Sequence, residues 1–359
     1  MTIVDRWQSI IDQILQGSRL QDDDALELLT RGDLPALGQA ADVIRLRKHP
    51  GPYATFIVDR NINYTNVCKS QCKFCAFYRA NDAADAYVLS TAELYQKIAE
   101  TIAAGGTQIM LQGGLHPELT LPYFENMLRG IKEHFPITIH SFSPAEIVHM
   151  ASLAGISIQK ALYRLQAAGL DSLPGGGAEI LDDAVRRRVS PLKITTKQWL
   201  EVMEAAQRIG MGTTATMVIG MQETYRQRIN HFRTIRELQD CTGGFRAFIM
   251  WTFQPGNTEL GGEKASAWDY LRTLAVARLY FDNISHLQGS WVTQGQSIGQ
   301  LTLAFGADDL GSIMLEENVV RAAGTAYQMS IEKMTDLIRT TGKIPAQRNT
   351  QYEILKIFK

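Results

Sequence analysis

NYTNVCKSQCKFCAFYR, residues 63–79, carries three of the four cysteines of this sequence. Cys68, Cys72 and Cys75 form a C-x3-C-x2-C arrangement, and no histidine or fourth cysteine stands beside them. A structural zinc ion usually has four protein ligands in two halves, and the second half is missing here. Thiolates also hold iron–sulfur clusters, and three of them leave one iron with an exchangeable position. The spacing therefore favours an iron–sulfur cluster that can bind a small molecule directly.

A disulfide does not account for this group of cysteines, because three close neighbours cannot all pair. The fourth cysteine, Cys241, is far along the chain and is predicted to be an ordinary thiol near the amino-terminal end of a strand. A non-catalytic iron–sulfur or zinc protein remains the alternative of a different class.

A short apolar run comes directly before the cysteines and is the first of eight predicted strands. Helical stretches lie between most of these strands, and the alternation predicts an α/β fold, a parallel (β/α)8 TIM-type barrel. A doubly wound sheet would show fewer repeats and an early glycine-rich phosphate turn. The predicted strands are 55–63, 108–112, 137–142, 171–175, 213–219, 245–253, 286–291 and 301–306.

The sequences on either side of the barrel are predicted to be helical. Apolar residues recur at three- and four-residue steps from Ile3 to Ile14, which is typical of an amphipathic helix. We expect residues 1–52 to form a helical extension packed on the barrel and 53–325 to form the barrel itself. Residues 326–359 are expected to be a helical tail of the same domain.

Composition limits the classes of partner. The chain has 359 residues, 36 basic against 37 acidic, and 45% apolar residues, which is ordinary for a folded globular protein. Without a basic excess, neither nucleic acid nor an anionic membrane is expected as the main partner. No apolar stretch approaches the ~18 residues that a membrane span needs. We expect a cytoplasmic protein acting on a small molecule.

With Phe74 before the third cysteine, the C-x3-C-x-aromatic-C pattern after a first barrel strand resembles the radical S-adenosylmethionine (SAM) superfamily. The resemblance implies a 4Fe–4S cluster whose open iron chelates SAM. It also implies one-electron reduction, by a flavodoxin- or ferredoxin-type donor, that releases a 5′-deoxyadenosyl radical.

Further motifs resemble the menaquinone and deazaflavin branch of that superfamily, and within it the family of cyclic dehypoxanthine futalosine synthases. The resemblance implies abstraction of the ribose C4′ hydrogen of dehypoxanthine futalosine, radical addition to the benzoate ring, and loss of an electron and a proton. Aminofutalosine synthases and deazaflavin F0 synthase-type enzymes share several motifs and are the alternatives. The motifs that carry the likeness lie at 59–67, 76–79, 112–117, 140–146, 173–179, 215–220, 251–258 and 314–318.

The same resemblance assigns cofactor contacts to loops after the strands. Gly113 and Gly114 would receive the SAM amino group, although a plain tight turn would also explain them. Glu179 would hold the ribose hydroxyls or the amino group, or is a charge at a helix N-terminus. Ser143 is expected to cap a helix while touching the cofactor.

Substrate contacts are predicted among polar and aromatic residues near the carboxyl ends of the strands. Arg79, the arginine near the cysteine loop, is a candidate for binding the benzoate, or else pairs with a surface acid. Tyr78, Trp251 and Gln254 are candidate pocket walls. The catalytic base is left open among His116, Glu179, Asp308 and the Glu316–Glu317 pair.

Overall fold

The computed structural model describes residues 5–359, and its chain begins with three helices. These are α1 (Arg6–Leu15), α2 (Asp22–Arg31) and α3 (Leu34–Lys48). The predicted first helix included Ile3, which lies outside the described residues. Helix α3 starts at a cap in which the Asp33 carboxylate accepts from the Ala36 amide.

Nine parallel segments form a closed ring of eight strands, which confirms the predicted barrel. Segments β1 and β2 are two halves of one strand separated at Val58, so they join the two sheets. A single bridge between His140 and Ser172 closes the remaining gap between β4 and β5. The segments are β1 (Tyr53–Ile57), β2 (Asp59–Ile62), β3 (Gln108–Leu111), β4 (Thr138–Ile139), β5 (Ser172–Leu173), β6 (Gly212–Ile219), β7 (Phe245–Thr252), β8 (His286–Gln288) and β9 (Asp309–Ser312).

Helices surround this ring and bury their apolar faces against it. Several begin at sequence-coded capping boxes, in which Ser90, Thr195 or Thr224 pairs with an acid or amide three residues later. Helix α11 packs on α3 and α2, which places the N-terminal helices against one side of the barrel. The helices are α4 (Thr91–Ala103), α5 (Leu121–His134), α6 (Pro144–Leu153), α7 (Ile158–Ala168), α8 (Asp183–Val189), α9 (Thr196–Arg208), α10 (Tyr225–Thr242), α11 (Ala267–Tyr280), α12 (Gln296–Leu301), α13 (Val319–Ala322) and α14 (Ile331–Arg339).

The predicted eighth strand at 301–306 is wrong. This apolar run is the end of α12 and a 3₁₀ turn at Thr302–Ala304, and the strand is β9. A short apolar run does not distinguish a strand from a buried turn. The true strand contains Asp309 and Ser312, whose polarity hid it from a search for apolar segments. As a result Asp308 comes before the last strand and lies at the amino-terminal end of the barrel.

The C-terminal segment contains α14 but is not helical throughout, contrary to expectation. It ends in a hairpin of β10 (Ile344–Arg348) and β11 (Ile354–Ile357), with β10 parallel to β1. The connecting turn contacts three barrel strands. Arg348 bonds Asp309, the Thr350 hydroxyl donates to the Gln108 side chain, and Tyr352 stacks on His286. This turn therefore covers the amino-terminal end of the barrel.

Within the described part of the chain, none of the helices combines the length and apolar character required of a membrane span.

Candidate active site

A cavity runs down the inside of the barrel. Its upper end, at the carboxyl ends of the strands, is bounded by the cysteine loop, and its lower end by the C-terminal turn. Residues on, or directly after, each of the eight strands line it. Such an internal cavity, closed at one end, can hold a ligand away from solvent.

Cys68, Cys72 and Cys75 all line the upper end of this cavity. The loop that carries them is pinned by backbone bonds: the Cys68 amide donates to the Arg79 carbonyl at 3.0 Å, and the Cys75 amide to the Cys72 carbonyl at 3.0 Å. These bonds hold the thiols on one side of a loop that begins where β2 ends. The lone Cys241 is exposed near the end of α10.

The thiols suit a cluster better than a single ion. Within residues 5–359, the three sulfurs are not all within 4.8 Å of one another. Thiolates around one zinc ion, at ~2.3 Å from the metal, would lie about 3.8 Å apart. Burial raises the pKa of the Cys72 thiol to about 12 and also raises that of Cys75. Thiolates form readily there only beside bound positive charge, such as the irons of a cluster.

Arg79 organises the cysteine loop and does not face the cavity. Its Nη1 donates to the carbonyls of residues 76, 77 and 78, and its Nε pairs with Asp85 at 2.7 Å. The structure therefore supports the alternative in which Arg79 pairs with an acid. Its guanidinium is occupied by its own loop, which leaves it unsuited to bind a substrate carboxylate.

Gly113 and Gly114 lie where β3 meets the cysteine loop, and both line the cavity. A Cβ on Gly114 would lie 2.1 Å from the Val67 carbonyl oxygen and 2.8 Å from the Cys68 Cβ. A Cβ on Gly113 would lie 2.5 Å from the Tyr64 ring. Neighbouring residues leave no room for a side chain at either position. Glycine therefore allows the two loops to meet beside the cysteines.

Glu179 lines the cavity with a buried carboxylate that has spare hydrogen-bonding capacity. Its Oε1 accepts from Lys193 Nζ at 2.8 Å, whereas its Oε2 has no hydrogen-bond partner within the described residues. Its backbone has φ of 42°, a conformation uncommon for a side chain of this kind. Ser70 Oγ and Asn61 Oδ1, which also line the cavity, are likewise unpartnered. Such orphaned atoms fit a polar ligand such as the amino acid and ribose parts of SAM.

Lys193 was not predicted from the sequence. It lies in the loop after α8, with its side chain 13% exposed, between Glu179 and the Phe74 ring, 5.3 Å from the ring centroid. Its ammonium would partly offset the negative charge of cluster thiolates. A lone lysine after a Ser-Pro-Leu turn carries no motif that could have identified it.

Glu146 is a second buried carboxylate on the cavity wall, and in the sequence only a capping role pointed to it. It accepts from the Tyr64 hydroxyl at 2.7 Å, the Ser143 hydroxyl at 2.6 Å and the Gly113 amide at 3.1 Å. Ser143 caps α6, as predicted, by accepting from the Glu146 amide. The S-x-x-E spacing already has a local explanation as a helix cap. Only the tertiary structure shows that Glu146 also accepts from the Gly113 amide.

The pH dependence of stability is expected to report on Glu146. Burial, despite these hydrogen bonds, raises its pKa from 4.5 to about 7. Its contribution to stability is therefore full below about pH 4.5 and is lost as pH rises through 7. The free energy of unfolding of the cofactor-free protein should fall by up to about 3 kcal/mol between pH 5 and 8 from this group.

Chemical denaturation of the wild type and of Glu146→Gln at each pH measures this contribution. The amide cannot ionise, so the variant should lack this part of the pH dependence. Identical pH profiles for the two proteins would contradict the assignment.

The remaining predicted substrate residues divide into two groups. Tyr78 and Trp251, like Phe74, line the cavity. Three others lie elsewhere, each in its own hydrogen-bond network: His116 accepts from the Glu118 amide, Gln254 bonds Thr252 and Thr325, and Glu316 pairs with Lys97 and Arg60.

Asp308 is far from the cysteine loop and does not line the cavity. Its carboxylate accepts from Arg278, from His286 Nδ1 at 2.6 Å and from the Leu287 amide at 2.7 Å. His49 lies next to this group, but the Arg278 guanidinium occupies the carboxylate that a metal ion would need. The expectation that Asp308 stands at the reactive end of the barrel is wrong, because β9 begins after it.

Comparison with known proteins agrees with this site. A model of the radical SAM superfamily matches residues 62–235, and a model of the CofH/MqnC C-terminal region matches residues 242–359. The solved structure of methylornithine synthase (PylB) superposes with a TM-score of 0.75 at 20% identity, over 94% of this chain and 97% of that one. That likeness shows the fold.

Curated relatives are much more similar in sequence. Cyclic dehypoxanthine futalosine synthase of Halalkalibacterium halodurans is 48% identical over 97% of this chain and 95% of its own length. The enzyme of the same name from Streptomyces coelicolor is 48% identical over 98% and 89%. Aminodeoxyfutalosine synthase of Thermus thermophilus is 35% identical over 97% and 96%. The chain therefore belongs to the radical SAM superfamily of enzymes, which use a 4Fe–4S cluster and SAM, and within it to the family of cyclic dehypoxanthine futalosine synthases and their relatives.

Proposed function

We propose that this chain cyclises dehypoxanthine futalosine to cyclic dehypoxanthine futalosine, a step of menaquinone biosynthesis. The observation that carries the proposal is the three-cysteine loop set over a deep cavity that is covered at its far end. The 48% identity to two synthases of this name supports the choice of reaction over that of the 35% identical relative.

Cys68, Cys72 and Cys75 would hold the cluster, and Gly113, Gly114 and Glu179 would face the SAM bound to it. When bound and reduced by one electron, this pair of groups supplies a 5′-deoxyadenosyl radical. The protein's own work is to hold the ribose C4′ and the benzoate ring in contact and to exclude water and other hydrogen donors. The barrel wall and the C-terminal turn provide that enclosure.

Loss of a proton after ring closure requires an acceptor in the cavity. Of the base candidates drawn from the sequence, Glu179 is the one that lines it among the described residues. Its Oε2 accepts no hydrogen bond within residues 5–359 and lies 3.6 Å from Arg186 Nη1. We propose Glu179 as a residue that both orients the ligand and can take up the proton.

We further propose a cytoplasmic setting and an acidic flavodoxin- or ferredoxin-type reductant. Lys69 is exposed on the cysteine loop, whereas Lys73 beside it, 40% exposed, pairs with Glu259 at 3.4 Å. The Lys69 cation next to the cluster position would favour the approach of a negatively charged electron donor.

Anaerobic incubation with dithionite, SAM and dehypoxanthine futalosine tests the reaction. The expected product is lighter than the substrate by two hydrogen atoms and forms with one equivalent each of 5′-deoxyadenosine and methionine. An adduct that retains the adenosyl group, with no free 5′-deoxyadenosine, would instead indicate aminofutalosine synthase chemistry. SAM that is never cleaved would overturn the radical mechanism itself.

A further inference from the structure

Arg246 projects into the lower half of the cavity without a partner. It is the second residue of β7 and lines the cavity. Its Nε and Nη2 are shielded from solvent, and residues 5–359 offer them no hydrogen bond or ion pair. A guanidinium stays protonated in proteins. An unpaired buried cation is strongly unfavourable unless something else supplies the negative charge.

The groups around Arg246 do not neutralise it. Arg348 already forms a two-pronged pair with Asp309, at 2.6 and 3.0 Å, so that pair is neutral as a whole. Burial holds the pKa of His140 well below its usual range, and the charges of Arg246 and Arg348 lower it further, so the imidazole is uncharged. Burial likewise raises the pKa of Asp59, which accepts from Gln108.

Tyr352 completes the lower end, and burial raises the pKa of its phenol above the usual value. Gly212 on the neighbouring strand leaves room for the Arg246 head, since a Cβ there would lie 3.0 Å from the guanidinium carbon. The lower cavity therefore contains one guanidinium, that of Arg246, that has no ion-pair partner among residues 5–359.

This charge lies near the amino-terminal end of β7, below the cysteine loop. Trp251, on the same strand, is five residues nearer the cysteine loop, a distance of about 16 Å along an extended strand. Because ring closure holds the ribose C4′ against the benzoate ring, the carboxylate of that ring would extend from the reacting carbon toward this charge.

Resting on the proposed function, we infer that Arg246 binds the carboxylate of an aromatic acid, the benzoate end of the substrate. The planar guanidinium matches a carboxylate with two parallel hydrogen bonds. This pairing would set the depth of the substrate and keep its ribose beneath the cysteine loop. Arg246 thus takes the anchoring role that the sequence had suggested for Arg79.

Binding and steady-state kinetics together test the anchor. Calorimetric titration of the cluster-loaded enzyme with SAM, without reductant, gives the affinity for dehypoxanthine futalosine and for its methyl ester. Arg246→Gln should weaken binding of the acid, and raise its KM, by about 100-fold. The wild type should discriminate against the ester to a similar degree, and Arg246→Gln should not. Arg246→Lys, which keeps the charge, should recover part of the loss.

Arg208→Gln serves as the matched control, because Arg208 is exposed and pairs with Glu204 on the outside of α9. Equal discrimination between acid and ester in the wild type and in Arg246→Gln would overturn the anchor. If Arg246→Gln fails to fold, the affinities for the acid and the ester are compared in Arg246→Lys instead. Lysine lacks the two parallel donors of the guanidinium, so this variant should still discriminate less between acid and ester than the wild type. Titration with benzoate alone distinguishes failure of the anchor from failure of the proposed reaction. If benzoate binding depends on Arg246 but dehypoxanthine futalosine is not turned over, the anion site is supported and the proposed reaction is wrong.

Discussion

Replacing Cys72 with serine is expected to reduce turnover to background, and so is replacing Cys68 or Cys75. Each thiol lines the upper cavity, and together they form the predicted set of cluster ligands. A serine oxygen is a poor ligand for a soft iron–sulfur centre, and two remaining thiolates cannot retain a cluster with one open iron. SAM cleavage should disappear together with product.

Iron content, visible absorption and 5′-deoxyadenosine formation measure this loss after anaerobic reconstitution. Cys241→Ala is the matched control, because that thiol is exposed at the end of α10, and it should retain wild-type iron content and turnover. A serine variant at Cys68, Cys72 or Cys75 that still cleaves SAM at the wild-type rate would refute the assignment of the cluster ligands.

Asp308→Asn is expected to lower the free energy of unfolding by about 3–5 kcal/mol. Burial alone would raise the pKa of Asp308, but the His286 hydrogen bond and the Arg278 charge outweigh it and hold that pKa well below its usual range. The charged carboxylate is therefore the native form. Removing its charge leaves the Arg278 guanidinium, whose side chain is 2% exposed, unpaired inside the protein.

Urea denaturation at neutral pH measures the effect, and Asp336→Asn is its control. Asp336 pairs with Arg339 at the surface, where its side chain is 74% exposed, so its loss should change stability by less than about 1 kcal/mol. At a temperature where Asp308→Asn stays folded, its kcat should remain within about twofold of the wild type. A large fall in kcat with unchanged stability would make Asp308 a candidate base again.

The two predictions concern residues for which the sequence had indicated the same location in the barrel. Asp308 and the cysteines were both placed at the reactive end of the barrel by counting strands. The count failed at the last strand, because β9 is short and contains the polar residues Asp309 and Ser312. An error of a few residues in one boundary moved Asp308 from one end of the barrel to the other.

The C-terminal turn shows a related limit. Arg348, Thr350 and Tyr352 lie almost three hundred residues after β1, yet they cover the barrel that begins there and line its cavity. Their partners, Asp309 and Gln108, lie on two different strands. Contacts at such separations have no signature in local periodicity, so the segment was expected to be helical.

The sequence alone determined the barrel and the superfamily and predicted the cysteine ligands, because cluster ligands, strand–helix alternation and loop motifs are properties of nearby residues. It also identified Gly113, Gly114 and Glu179 beside the cavity. The tertiary structure alone decided which charges meet inside the barrel. Arg79 donates to carbonyls of its own loop, and Glu146 accepts from the Gly113 amide. Arg246 has no ion-pair partner among the described residues. Whether a charged group is paired depends on strands that are distant in sequence, and an unpaired charge becomes significant only once burial has removed water from it.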